Sequence, residues 1–192
     1  MEIKVCGVND APFASRAESL SANYIGLIFA EGSPRRVAVA EASRIAAGLA
    51  GRARTVGVFT TSTPTEIVAV AEKVGFSIVQ LHRRASEADV EDLRRRGFEV
   101  WTLAGGAEGD AVLFDSSHGD GETALRKGPW KTVLAGGISA ANVGDAIASG
   151  ADVIDVSGSL ESSKGVKSIA LLEAFFDAVK TSSSSLTVRG RF

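Results

Sequence analysis

The sequence predicts an α/β fold, a (β/α)8 barrel with eight parallel strands and no helix between the fifth and sixth. Three observations support this prediction. Eight short β-branched or aliphatic runs recur along the chain, helical patterns lie between most of them, and glycines cluster after the last two runs. Near-continuous apolar runs are typical of parallel strands covered on both faces, and such strands need helical crossovers.

Eight strands of this kind can close into a packed barrel. The alternative is an open doubly wound sheet, but no G-x-G-x-x-G motif follows the first run. Glycines stand instead at Gly136-Gly137 and Gly158, which matches the late phosphate site of barrels. The predicted strands are Ile3–Val5, Tyr24–Phe29, Thr55–Phe59, Ser77–Leu81, Glu99–Leu103, Ala111–Phe114, Lys131–Leu134 and Val153–Val156.

Capping signals predict the helices. Thr63 to Glu66 form a capping box with Pro64 at the first helical position, and Gly75 is the expected stop. Ser86 begins a second helix that ends at Gly97, and residues 139–150 and 168–180 form two further amphipathic segments. Residues 181–192 lack an amphipathic period, so we expect one barrel domain over residues 1–180 and a mobile tail over 181–192.

The fifth and sixth strands are separated by only residues 104–110, which include three glycines and no apolar stripe. An extended link of this length spans about 24 Å, enough to return along a short strand and keep the parallel register. Either Val100 and Thr102 or Trp101 and Leu103 would then point outward. We expect neighbouring helices or a second subunit to shield them.

Composition excludes several classes of protein. The chain has 192 residues with a formal charge of −2, so no broad basic surface attracts nucleic acid or anionic lipid. Its single cysteine excludes an internal disulfide and Cys-based zinc sites. No apolar run reaches the ~18 residues of a membrane span. The N-terminal residues have the pattern of a strand and not that of a signal peptide. We expect a cytoplasmic monomer or homodimer with no metal and a small-molecule partner.

Active sites of such barrels lie where the strands end. The polar residues at those positions are Cys6, Arg35, Arg36, Gln80, His82, Asp115, Ser116, Asp155 and Ser157. On position alone, Cys6 is explained equally well as a site residue and as a small buried hydrophobe. For His82, position slightly favours a structural role. Arg35 follows the stiff Ser33-Pro34 turn and is therefore better placed than Arg36 to contact a ligand. The two glycine loops can form a phosphate cradle of backbone amides.

Several stretches together resemble the phosphoribosylanthranilate isomerase family, from residue 4 to about residue 168. They are Lys4-Val5-Cys6-Gly7, Tyr24 to Phe29, Ser33-Pro34-Arg35, Val56 to Phe59, Val79-Gln80-Leu81-His82, Phe114-Asp115, Leu134 to Ile138 with Asn142-Val143, and Asp155-Val156-Ser157 with Glu161 and Gly165. The resemblance implies a tryptophan-biosynthesis enzyme that converts N-(5-phosphoribosyl)anthranilate into an open-chain 1-deoxyribulose phosphate by an Amadori rearrangement, without a cofactor.

The resemblance also implies roles. Cys6 aligns with the general base, Asp115 with the general acid and Arg35 with the arginine that binds the anthranilate carboxylate. The expected substrate-binding residues are Arg35, Gln80, His82, Gly136, Gly137, Ser157, Gly158 and Ser159. The chemistry agrees, since a partly buried carboxylic acid can protonate the furanose oxygen, and a thiolate can remove the C2 proton if nearby positive charge lowers its pKa.

The sequence departs from the family pattern in several places. Arg83 replaces a glycine, Lys164 replaces a proline, Ser157-Gly158-Ser159 replaces Ser-Ser-Gly, and the glycine-rich loop after Asp115 is reduced to His118-Gly119-Asp120-Gly121. Two other functions stay open. One is a histidine-pathway or bifunctional phosphoribosyl isomerase, although those enzymes resemble each other in having an aspartate where this chain has Cys6. The other is a non-catalytic phosphate-binding barrel.

Overall fold

Each of the eight predicted runs forms a strand, and the strands close into one parallel barrel. The computed structural model describes residues 1–116 and 125–189. The strands are β1 (Glu2–Cys6), β2 (Tyr24–Ile28), β3 (Arg54–Phe59), β4 (Ile78–Leu81), β5 (Glu99–Leu103), β6 (Ala111–Asp115), β7 (Lys131–Ala135) and β8 (Val153–Val156). They pair in sequence order, and β1 closes the barrel against β8. The predicted fold class is confirmed.

Helices accompany most of the crossovers. They are α1 (Ala11–Ser19), α2 (Val39–Gly48), α3 (Pro64–Val74), α4 (Glu87–Arg95), α5 (Val143–Ala148) and α6 (Ile169–Arg189). Between β8 and α6 the chain forms a 3-10 turn at Gly158–Leu160 and a short antiparallel hairpin of β9 (Glu161–Ser163) and β10 (Val166–Lys167). This hairpin was not predicted from the sequence. No helix among the described residues is long and apolar enough to cross a membrane.

Local signals determine where α3 and α4 begin and end. The Thr63 side chain accepts a hydrogen bond from the Glu66 N–H, and the Glu66 carboxylate accepts one from the Thr63 N–H. Gly75 ends α3 with φ +89°, a left-handed conformation that favours glycine. Ser86 caps α4 by accepting from the Asp89 N–H. Both starts agree with the sequence prediction.

Two other helix boundaries differ from it. Helix α5 begins four residues later than expected, because Asn142 Oδ1 accepts a hydrogen bond from the Ser139 N–H and stabilises a turn there. Helix α6 continues to Arg189, so the expected domain end at residue 180 lies within a continuous helix. Within this extension the Thr181 and Ser184 hydroxyls donate to carbonyls one turn earlier. Whether residues 181–192 are mobile stays a prediction, and the last three lie outside the described residues.

The link between β5 and β6 contains turns and extended backbone but no helix, as its length predicts. It covers the outer face of β5 itself. The Gly109 N–H donates to Thr102 Oγ1 at 3.0 Å, and Asp110 Oδ2 accepts from the Val100 N–H at 2.7 Å. Val100 and Thr102 are the outward pair and both are fully buried. The shield is thus the linker, and not only a neighbouring helix or a second subunit.

Side chains alternate along the strands between two apolar layers. Outward residues pack beneath the helices, while the inward layer fills the barrel with residues such as Val56, Ile78 and Trp101. Above this inward layer, the next inward positions on four of the strands are polar or reactive, namely Cys6, Gln80, Asp115 and Asp155. Cys6 and Asp115 both belong to this upper level, so the strand period directs them to the same end of the barrel.

Candidate active site

A cavity of about 690 Å³ opens at the carboxyl ends of the strands. The ten residues that we expect to catalyse the reaction or bind the substrate all line this cavity. They are Cys6, Arg35, Gln80, His82, Asp115, Gly136, Gly137, Ser157, Gly158 and Ser159. The fold therefore brings together residues from six strands or the loops that follow them. Their individual roles stay predictions.

Cys6 is directed into the barrel and is 7% exposed. Gly26 on the neighbouring strand makes room for it, since a Cβ at Gly26 would lie 2.7 Å from the Cys6 Sγ. Burial raises the pKa of the Cys6 thiol above its ordinary value, and the Lys4 ammonium group lowers it only in part. The nearby positive charge that a thiolate requires is thus present in Lys4, but burial outweighs its effect on the pKa.

Asp115 ends β6, three strands from β1 around the barrel. Its side chain is 8% exposed, and its Oδ2 lies 3.7 Å from His82 Nε2. The other ring nitrogen, Nδ1, lies 3.3 Å from Gln80 Nε2. The Gln80 amide donates to Nδ1, which leaves the proton of a neutral His82 on Nε2, facing Asp115. His82 Nε2 therefore faces the predicted general acid at a distance longer than a hydrogen bond.

Arg35 reaches from the loop after β2 across the end of β1. Gly7 permits this path, because its φ is +72° and a Cβ there would lie 2.8 Å from the Arg35 Cδ. Arg35 Nε and Nη2 donate to the two oxygens of Glu161. Among the described residues, no hydrogen bond engages Nη1. The guanidinium is thus held along one edge, and the edge bearing Nη1 is left for a ligand carboxylate.

Glu161 and Lys167 are site residues that the sequence analysis did not select. Both come from the β9–β10 hairpin, and their side chains are 4% and 0% exposed. Burial opposes ionisation of Glu161, but Arg35, the Gly165 N–H and Lys167 lower its pKa to about 2. The Lys167 Nζ donates to Glu161 at 3.2 Å and to the Ser157 carbonyl at 3.0 Å. Glu161 is one of the residues that carry the family resemblance. The hairpin is too short to show a side-chain periodicity from which these contacts could be predicted.

The two glycine loops meet beside Arg35. Gly136 and Gly137 have φ of +90° and +63°, which residues with a Cβ rarely adopt. A Cβ at Gly158 would lie 3.3 Å from Arg35 Nη2. Ser157 Oγ donates to the Cys6 carbonyl at 3.1 Å, and Ser159 Oγ donates to the Ile138 carbonyl. These hydroxyls tie the loops together, so a phosphate here would rely mainly on backbone N–H groups.

A buried ion pair lies in the barrel next to Cys6. Lys4 Nζ is 2.6 Å from Asp155 Oδ2, and the two residues are register partners on β1 and β8. Asp155 also lines the cavity. Within the described ranges, Asp155 Oδ1 and Gln80 Oε1 are buried acceptors without a hydrogen-bond partner. The sequence signal for this pair is a charged residue at an inward position of an otherwise apolar strand.

The remaining departures lie at the edge of the site or beyond it. Arg83 is bound to Asp89 at 2.8 Å, at the start of α4, and does not line the cavity. The reduced loop His118-Gly119-Asp120-Gly121 lies outside the described residues.

Comparison with known proteins identifies close relatives over almost the whole chain. Residues 3–178 match the family model described as N-(5'phosphoribosyl)anthranilate (PRA) isomerase. The N-(5'-phosphoribosyl)anthranilate isomerase of Granulibacter bethesdensis is 31% identical over 93% of this chain and 98% of its own. The enzyme of that name from Pseudomonas putida W619 is 33% identical over 92% and 96%.

A solved structure has the same fold. The crystal structure of the phosphoribosyl anthranilate isomerase from Thermus thermophilus superposes with a TM-score of 0.82 at 28% identity, covering 94% of this chain and 99% of that one.

Proposed function

The chain belongs to the N-(5'-phosphoribosyl)anthranilate isomerase family, and from this premise we propose which of its residues perform the reaction. The activity is the isomerisation of N-(5'-phosphoribosyl)anthranilate to 1-(2-carboxyphenylamino)-1-deoxyribulose 5-phosphate in tryptophan biosynthesis. The observation that carries the assignment of residues is that a thiol, a carboxylic acid, a half-free arginine and two glycine loops line one cavity.

The first step opens the ribose ring, with Asp115 as the general acid. Its proton passes to the ring oxygen while the bond between that oxygen and C1 breaks, and the anilino nitrogen lone pair forms a C1=N iminium. The low exposure of the Asp115 carboxyl supports this role, because a desolvated acid keeps its proton more readily. His82 lies beside this carboxyl and assists its orientation.

The second step removes the C2 proton, with Cys6 as the general base. The C2–H electron pair forms a C1=C2 bond and neutralises the iminium nitrogen, which gives an enolamine. The enol hydroxyl at C2 then becomes the ketone as C1 receives a proton. Cys6 must act as a thiolate in this step, since a thiol has no tendency to accept a proton near neutral pH.

The two ends of the substrate are fixed by different groups. The free edge of the Arg35 guanidinium binds the anthranilate carboxylate through two parallel hydrogen bonds, while Glu161 holds the opposite edge. Backbone N–H groups near Gly136, Gly137, Gly158 and Ser159 bind the phosphate.

All of these residues come from one chain, so the proposal holds for a monomer and for a homodimer. We propose the cytoplasm as the place of action, on the sequence grounds given above.

The decay of anthranilate fluorescence after addition of the purified protein tests this function. The histidine-pathway substrate is assayed beside it under the same conditions. Decay with the anthranilate substrate alone supports the proposal, and turnover of both substrates would indicate a bifunctional enzyme. Tight binding of the anthranilate substrate without decay would indicate a non-catalytic phosphate-binding barrel and would overturn the proposal.

A further inference from the structure

The Lys4–Asp155 pair has no function in the steps just described, although both of its side chains are buried inside the barrel. Lys4 is 0% exposed, and the side chain of Asp155 is 7% exposed. The pair lies inside the barrel, in the midst of the inward apolar layer that includes Val56, Ile78 and Val153.

Stability alone gives a poor reason for such a pair. Removing two charges from water costs more than their attraction commonly returns, and replacement by apolar residues of similar size is often neutral or stabilising. Asp155 in addition leaves Oδ1 without a partner among the described residues. The desolvation cost of this pair and its incomplete set of hydrogen bonds are more readily explained by an electrostatic effect on a neighbouring residue.

That neighbour is Cys6. Lys4 and Cys6 stand two residues apart on β1, so both side chains point into the barrel, and the Lys4 ammonium group is close enough to the Cys6 sulfur for their charges to interact. Asp155 holds the same ammonium group from β8 at 2.6 Å. The carboxylate thus keeps the lysine charged and in place beneath the sulfur.

Other charges also face Cys6, but they are engaged elsewhere. The cations are Lys167 on β10 and Arg35 after β2, which both bind Glu161. The other groups are Asp155, Asp115 and His82, which lies beside Asp115. Lys4 differs from the other two cations because it lies on the same strand as Cys6 and on the same inward face. Burial raises the pKa of Cys6, and Lys4 is the strongest influence in the opposite direction.

We propose that Lys4 is a positioning residue for the isomerisation: its buried ammonium group, fixed by Asp155, stabilises the charged form of the Cys6 sulfur that accepts the C2 proton. The proposal rests on the proposed function of Cys6 and deepens it. It assigns the Lys4–Asp155 pair an electrostatic function in catalysis and treats its effect on stability as secondary.

Alkylation of Cys6 tests this directly, because Cys6 is the only cysteine in the chain. The rate of reaction of the full-length protein with iodoacetamide is measured from pH 6 to pH 10, which follows the thiolate without requiring turnover. In Lys4→Met we expect the midpoint of the profile to move up by about one pH unit or more, so that the rate at neutral pH falls about tenfold. The alkaline shift should also occur in the pH profile of kcat/KM, with little change in KM.

Two further variants keep the test decisive. Lys4→Met/Asp155→Asn removes both charges, so it avoids an unpaired buried carboxylate if the single variant does not fold. We expect its alkylation also to be slower than that of the wild type, because Lys4 influences the sulfur more strongly than Asp155 does. Lys73→Met, at an exposed position on α3, is the matched control and should leave both profiles unchanged.

The outcomes separate this proposal from the proposed function. If the Lys4 variants fold and alkylate with the wild-type profile, the proposal is overturned even if the wild-type enzyme is active. A fall in kcat without a shift of the alkylation midpoint would show a structural role for Lys4 and would overturn it too. If the wild-type protein did not consume the substrate, the proposed function would fail, whatever the alkylation profiles showed.

Discussion

Arg35 and Glu161 share two hydrogen bonds although 126 residues separate them in the chain. The β9–β10 hairpin carries Glu161 to the loop after β2, and it fits there because Gly165 has no Cβ; a Cβ would lie 2.5 Å from the Pro34 carbonyl oxygen. Asn9 Nδ2 also donates to the Gly165 carbonyl. One short hairpin thus connects the ends of β1, β2 and β8 around the arginine that we propose binds the substrate.

We expect Arg35→Lys to raise KM by about tenfold or more, with a smaller effect on kcat, because a point charge replaces a two-pronged donor. Steady-state kinetics on the anthranilate substrate measure both. Arg36→Lys, next in the chain but outside the catalytic cavity, is the control and should behave as the wild type. An unchanged KM in Arg35→Lys would refute the carboxylate-binding role.

Glu161→Gln should raise KM and also lower the free energy of unfolding. The amide offers one acceptor where the carboxylate offers two, and it leaves the buried Lys167 without its counterion. Adding Lys167→Met should restore stability while KM stays high, because the arginine is still held by one acceptor. If the double variant recovered both the wild-type KM and the wild-type free energy of unfolding, the Glu161–Lys167 pair would have only a structural role.

Gly109→Ala should lower the free energy of unfolding by ~1–3 kcal/mol, the cost of overpacking a filled site. A Cβ at Gly109 would lie 2.2 Å from the Val100 carbonyl oxygen, so the linker would have to leave the face of β5 that it covers. Gly48→Ala, at the end of α2 with nothing within 4 Å of its Cβ, is the control and should be neutral or stabilising. Urea unfolding of the two variants makes the comparison, and equal stabilities would show that the linker is not packed as described.

Glu18→Gln should destabilise the protein most above about pH 5 and progressively less in acid. Glu18 is buried, which opposes its ionisation, but three backbone N–H groups, of Ala50, Arg52 and Ala53, lower its pKa below the ordinary value. A carboxyl whose folded pKa is lowered stabilises the fold above its unfolded pKa of about 4.3, and this stabilisation is lost as the pH falls through the folded value. Thermal unfolding from pH 3 to pH 7 measures the difference. Exposed Glu91→Gln should show no such dependence, and a pH-independent difference for Glu18→Gln would contradict the account.

Much of this architecture could be predicted from the sequence, because strands buried on both faces and capped helices leave strong local signals. The Thr63 capping box and the short link after Leu103 are examples. The period-2 alternation of the strands also brings Cys6 and Asp115 to one end of the barrel once the strands are identified. What the sequence could not predict depends on contacts between distant segments.

Lys4 illustrates the limit. Its charge on an apolar strand is visible in the sequence, but its partner Asp155 becomes apparent only when β1 pairs with β8. Likewise, nothing local indicates that residues 104–110 lie flat on β5, since this depends on hydrogen bonds from Gly109 and Asp110. Helix α6 extends through a serine-rich segment, where the Ser184 hydroxyl donates to a carbonyl within the helix, and a search for apolar stripes does not detect such a segment.

The most direct test of the central claim is the rate of anthranilate fluorescence decay for Cys6→Ala and Asp115→Asn beside the wild type. We expect each variant to lower kcat by ~100-fold or more, the lower end of what a positioned acid or base contributes, while inorganic phosphate still binds in the cradle. Retained phosphate binding would show that the site is intact. Near-wild-type turnover by either variant would contradict its assignment as the base or the acid.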